Sequence, residues 1–161
     1  DAFYNEADKK RAIETHLEGI ITMLPWIALI DKFQHWIYTN PNHTNEEREN
    51  KWEELHKELS SDVIDYSPYA DFRKTMWHKQ LHIFEVPFYY IEYGIAQLGA
   101  IAVWRNYKKN KQKAVEDYKN ALKLGYTKSI PEMYKAAGIE FNFTATYVKE
   151  LMEFLNKEIE N

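Results

Sequence analysis

Residues 13–47 read IETHLEGIITMLPWIALIDKFQHWIYTNPNHTNEE, and the fold class turns on them. Apolar Ile13, Leu17, Ile20, Leu24, Ile27 and Phe33 recur in steps of three and four or close multiples of them. That period lines one face of an α-helix rather than one face of a strand. The spacing predicts a helix over 4–39, with Pro25 kinking or restarting it, because proline has no amide proton to give and its ring crowds the preceding turn. The apolar run Gly19–Ile30 is about twelve residues against the roughly 20 that a bilayer requires, so it reads as buried helix. Asn40-Pro41-Asn42 then breaks the pattern. Thr44-Asn45-Glu46-Glu47 has the form of a capping box, which satisfies two orphan amides reciprocally and predicts a second helix from Thr44 to about Leu59.

Outward from there the same period persists. SSDVIDYSP, residues 60–68, reads as a loop, and a third helix is expected over 69–84. Pro87 disfavours helical geometry at Val86, so a break falls there and a fourth helix is expected over 88–107. Small residues at Gly94, Ala96, Gly99, Ala100 and Ala102 would let a neighbour approach that helix closely. A fifth helix over 111–124 should stop at Gly125, the residue type that best tolerates a left-handed cap. Ser129-Ile130-Pro131-Glu132 is a second capping box, opening a short helix that ends at Gly138, and a last helix is expected over 144–157. Together these predict an all-α fold, an irregular bundle of about six or seven helices, in one domain over 1–161.

Composition narrows the function classes. With 45% hydrophobic and 16% aromatic residues the chain is a packed globular domain. A net charge of -4 without charge blocks gives no electrostatic footprint for nucleic acid. Cysteine is absent, which removes disulfides, thiolate metal sites and thiol nucleophiles and fits a cytoplasmic protein. The opening residues resemble no signal peptide and lack an initiator methionine, so a piece of something longer is expected. Asn42-His43-Thr44 and Asn142-Phe143-Thr144 match the glycosylation sequon, which matters only in a secreted eukaryotic protein.

Most candidate chemistry fails on inspection. His78 and His82 have the spacing of a helical zinc pair, but Lys79 stands where a zincin carries its glutamate, and an ammonium there opposes a cation. Glu53 and His56 form one Glu-x-x-His, whereas di-iron bundles need two and further glutamates; the pair reads as a solvated helix face. No glycine-rich phosphate loop and no G-x-S-x-G elbow occurs. What stands out is QLHIFEVPFYYIEYGIAQLG, residues 80–99, where Tyr89, Tyr90 and Tyr93 fall on adjacent helical positions. Either their hydroxyls are satisfied within a helix interface, or they are aimed at something outside the chain.

The stretches HLEGIITMLPWIALIDKFQHWIYTNPNHTNEER, HKQLHIFEVPFYYIEYGIAQLGAIAVWRNY and ALKLGYTKSIPEMYKAAGIEFNF resemble the C-terminal part of the catalytic domain in the oligoendopeptidase F group of the thimet-oligopeptidase-like zinc metallopeptidases. The resemblance covers nearly the whole chain. It implies the C-terminal portion of a zincin-like helical peptidase domain that cleaves oligopeptides with one zinc ion. The zinc ligands of that family lie upstream of the matched segment, and no H-E-x-x-H occurs here, so the resemblance implies that this chain binds no metal and is inactive alone. By the same resemblance, His82 and Tyr93 correspond to catalytic residues that meet the substrate carbonyl. Tyr89 and Tyr90 correspond to substrate-binding positions, either of which could take the second tyrosine role. Its partners would be an oligopeptide, the upstream half of the same protein and, through the face so uncovered, a second copy of itself. No nucleic acid or membrane partner is expected. The alternative is a stand-alone, tetratricopeptide-like peptide-binding module, for which AVEDYKNALKLG supplies one half-unit.

Overall fold

In the computed structural model, which describes residues 3–160, the helical period of the first forty residues becomes one α-helix, α1, Glu6–Thr39. Pro25 lies inside it without ending it. α1 is long and apolar enough to cross a membrane by length and composition alone, because its apolar character runs beyond Gly19–Ile30. Its Leu29, Ile30 and Phe33 are buried in a core. The elements that follow are α2 (Asn45–Leu59), a 3-10 turn (Ser67–Tyr69), α3 (Ala70–Lys74), a second 3-10 turn (Met76–Lys79), α4 (His82–Glu85), α5 (Ile91–Lys109), α6 (Lys111–Lys123), α7 (Ile130–Ala136) and α8 (Ala145–Ile159). The fold is all-α, and no strand occurs among the described residues. Both capping boxes form, at Thr44 with Glu47 and at Ser129 with Glu132. Gly125 and Gly138 take the left-handed φ values of 53° and 72° that end α6 and α7.

The chain divides into two compact units, residues 18–94 and residues 1–17 with 95–161. The core of the first is aromatic. Trp52 meets Phe33 and Trp26 edge-on at 5.1 and 5.7 Å, and Phe33 meets Trp77 at 5.5 Å. Leu29, Ile30, Leu55 and Ile83 fill the remaining space. This packing overrides the single helix expected over 69–84. The indole Nε1 of Trp52 donates to the Arg73 carbonyl at 2.9 Å, the acceptor that a continuing α-helix would offer to the amide of Trp77. The chain leaves α3 at Thr75 and continues as a 3-10 turn that places Trp77 in the core.

Glu53 and His56 also depart from expectation. They do not lie on a solvated face: Glu53 pairs with Arg73, and His56 is buried, its Nδ1 2.8 Å from the Ser60 hydroxyl. The Arg73 guanidinium holds the Glu53 carboxyl below its ordinary range, and burial pushes the His56 imidazole below its own.

In the second unit, α8 buries Tyr147, Leu151 and Leu155. Phe154 meets Trp104 of α5 at 5.0 Å, and Lys108 pairs with Glu158 at 2.7 Å. Close approach is built on Gly99: a Cβ there would sit 2.8 Å from the Tyr134 hydroxyl, which donates to the Ile95 carbonyl at 3.1 Å. An open apolar groove of about 590 Å³ remains along α5, α6 and α7, lined by residues that include Val103, Val115, Leu122 and Met133.

Candidate active site

The segment from Gln80 to Tyr93 is where the backbone is least regular, and each irregularity has a cause. Gln80, at φ -92° and ψ 87°, ends the second 3-10 turn. α4 lasts one turn, because Val86, at φ -138° and ψ 77°, has left the helical region ahead of Pro87, whose ring disfavours helical geometry there. Phe88 then takes φ 58°, uncommon for a bulky residue, and its ring is held by His35 at 4.8 Å and Tyr38 at 5.1 Å. That reversal moves the start of α5 from the expected residue 88 to Ile91. Tyr89 and Tyr90 therefore lie just ahead of the helix, their carbonyls accepting from the amides of Glu92 and Tyr93. Gly94 admits α1: a Cβ at that position would stand 3.2 Å from the Ile27 side chain.

The result is one cluster of four rings. His82 lies 6.1 Å from Tyr89, 4.9 Å from Tyr90 and 5.7 Å from Tyr93 between centroids. Tyr93 in turn lies 5.7 Å from Tyr89 and 5.2 Å from Tyr90. His82 Nε2 approaches Tyr93 Oη at 3.4 Å, a long contact. Tyr89 and Tyr93 are 42% and 43% exposed, so their rings pack on neighbours while a face stays open to a ligand. The negative charge that would form on Tyr93, and the Glu92 carboxylate, push the Tyr89 hydroxyl above its ordinary value. Burial does the same to Tyr90, against the opposing indole N–H of Trp26. Both shifts keep these phenols protonated, as hydrogen-bond donors.

The structure brings together all four residues singled out in the sequence. It separates His78 from them: His78 lies in the 3-10 turn and His82 opens α4, so the two imidazoles do not share a helix face. Two further residues belong to the cluster and carried no sequence signal. Gln80 Nε2 stands 2.7 Å from His82 Nδ1, and Gln80 Oε1 accepts from Trp26 Nε1 at 3.2 Å, across 54 residues of chain. Among the described residues, no three His, Asp or Glu side chains gather so as to hold a metal ion. The residues present thus do not fit a zinc site.

Residues 2–153 match the model of peptidase family M3. Among solved structures, the chain is similar to one assigned the name oligoendopeptidase F, at 29% identity and a TM-score of 0.80 over 97% of this chain and 27% of that one. It is similar to PZ peptidase A solved with an inhibitor, at 30% identity and a TM-score of 0.76 over 89% of this chain and 26% of that one. A third structure, from Bacillus anthracis and also assigned as oligoendopeptidase F, matches at 28% identity and a TM-score of 0.72 over 98% and 25%. No curated protein matches the chain. It spans about a quarter of the length of the structures it resembles. With its all-α fold and a family match from residue 2 to residue 153, the chain belongs to peptidase family M3.

Proposed function

We propose that this chain is the C-terminal helical part of a cytoplasmic, zinc-dependent oligoendopeptidase and that His82, Tyr89, Tyr90 and Tyr93 face the oligopeptide in its substrate channel. The observation that carries the reading is the convergence of one imidazole and three phenols on a partly exposed surface, with the rings packed and the polar edges available. Membership of a peptidase family supports it over a stand-alone tetratricopeptide-like module.

Hydrolysis of a peptide bond gathers negative charge on the scissile carbonyl oxygen, and a donor already in place stabilises that charge without reorganising. Tyr93 is suited to this: a phenol donates while adding no second fixed charge, and an imidazole N–H can do the same. Tyr89 and Tyr90 flank it and would orient the peptide. In this reading the zinc of the intact enzyme is held by residues outside this chain, and the chain alone is inactive.

The test is Tyr93→Phe in the intact enzyme. Removing the hydroxyl while keeping the ring is expected to lower kcat by about 10² to 10³ and change KM little. His82→Gln is expected to lower kcat as well, whereas His56→Gln leaves it unchanged. A lowered melting temperature with normal kcat in Tyr93→Phe would overturn the reading. Elemental analysis of the dialysed 161-residue chain is a second check, with less than stoichiometric zinc expected; one tightly held zinc per chain would count against it.

A further inference from the structure

A histidine donates only from the ring nitrogen that carries its proton, and the surroundings of His82 determine which nitrogen that is. The indole N–H of Trp26 can only donate. At 3.2 Å it must face the Gln80 amide oxygen, which turns the Gln80 NH2 group toward His82. That NH2 group also only donates, so His82 Nδ1, 2.7 Å away, must accept. In the neutral ring the proton then resides on Nε2, the nitrogen beside Tyr93 Oη.

The anchor at the far end is firm. The Trp26 ring packs edge-on against buried Trp52 at 5.7 Å, and Lys79 Nζ lies 4.6 Å from its centroid on the face. Reversing the amide would set its NH2 against the indole N–H, two donors face to face, and leave the Tyr90 hydroxyl to accept from the indole in place of the amide oxygen. Gln80 is half-buried, so little water is at hand to relieve that arrangement.

We propose that Gln80, oriented by Trp26, is a positioning residue that fixes His82 as the Nε2–H tautomer and so presents a donor beside the Tyr93 hydroxyl to the oxygen of a bound peptide carbonyl. The tautomer follows from contacts within the chain, while its use on a peptide rests on the function proposed above.

The test is nitrogen-15 NMR of the histidine rings in the 161-residue chain, at a pH where the rings are neutral, with His82 assigned by its loss in His82→Gln. The wild type is expected to hold Nε2–H over Nδ1–H by about tenfold, the ratio that a hydrogen bond of ordinary net strength supports. Gln80→Glu keeps an acceptor for Trp26 but puts a carboxylate at Nδ1, and is expected to move the proton to Nδ1. Trp26→Phe frees the amide to turn, and is expected to raise the Nδ1–H share even if Gln80→Glu fails to fold. Nδ1–H in the wild type, or populations unchanged in the folded variants, would overturn the inference.

Kinetics of Gln80→Glu in the intact enzyme separate the two proposals. A lowered kcat with KM little changed supports both. A switched tautomer with unchanged kcat overturns the peptidase role of His82 and leaves the tautomer assignment standing. An unswitched tautomer, beside a Tyr93→Phe variant with lowered kcat, overturns the role of Gln80 alone.

Discussion

Burial disfavours the charged form of His56, and the positive charges of Arg73 and Lys79 add to the effect. The folded state therefore takes up this proton less readily than the unfolded chain does, whose ordinary value is 6.5. The unfolded state binds more protons as pH falls, so this contribution to stability is fully present above 6.5 and is lost as pH drops through the lowered folded value. Glu53 has the same sign with a lower onset, near its ordinary 4.5. Urea midpoints followed from pH 8 to pH 5 are expected to fall, and His56→Gln is expected to flatten the upper part of that fall. Phe88 tests local strain. Phe88→Ala loses the His35 and Tyr38 contacts and keeps an unfavourable φ, whereas Phe88→Gly loses the contacts alone, so glycine is expected to be the more stable by roughly 1 kcal/mol in denaturant titration. Tyr89, Tyr90 and Tyr93 were legible as a group because three phenols close together in a mostly apolar run call for a reason, and His82 joined them through the resemblance. Gln80 and Trp26 were not: an amide and an indole carry no signature of their role until the fold joins positions 54 residues apart.

Helix ends were readable wherever the chemistry is local. Thr44, Ser129, Gly125 and Gly138 act on residues within a turn of themselves, and each marks the boundary that the sequence predicts. The stretch 69–84 was misread as one helix because its ending is imposed from outside, by the Trp52 indole on the Arg73 carbonyl, and no residue within it announces that. Pro25 was expected to kink or restart the helix, and α1 runs through it without a restart. Of the small residues in α5 expected to allow close approach, Gly94 and Gly99 do so, against Ile27 and Tyr134, while Ala96 and Ala100 are exposed; Gly99 makes the idea testable. Gly99→Ala places a methyl against the Tyr134 hydroxyl and is expected to cost about 1 to 3 kcal/mol in denaturant titration. In a Tyr134→Phe background, where the crowding oxygen is gone, the added cost should be smaller, a coupling that a double-mutant cycle measures directly.

At the scale of the molecule, each unit leaves apolar surface open. Val63 and Phe72 are 90% and 72% exposed in one unit, and the groove along α5, α6 and α7 is open in the other. Surface of this kind marks an interaction face. The 161-residue chain is therefore expected to self-associate as concentration rises, or to pair tightly with the upstream half of the enzyme. Light scattering checks this, and a monodisperse monomer at high concentration without dye-binding surface would count against it. Composition and period established the helical class, but only the match of particular stretches to a peptidase family pointed to a reaction. The tether from Trp26 to Gln80 adds a consequence in chain entropy. His82 and Tyr93 are 11 residues apart, and closing that loop in an unfolded chain is cheaper by about 1.4 kcal/mol than closing the 54-residue loop to Trp26. The ring cluster thus closes a short loop, whereas the contact that orients Gln80 closes a long one. Under the function proposed above, reactivity could drift by loosening one distant indole while the aromatic cluster stayed intact.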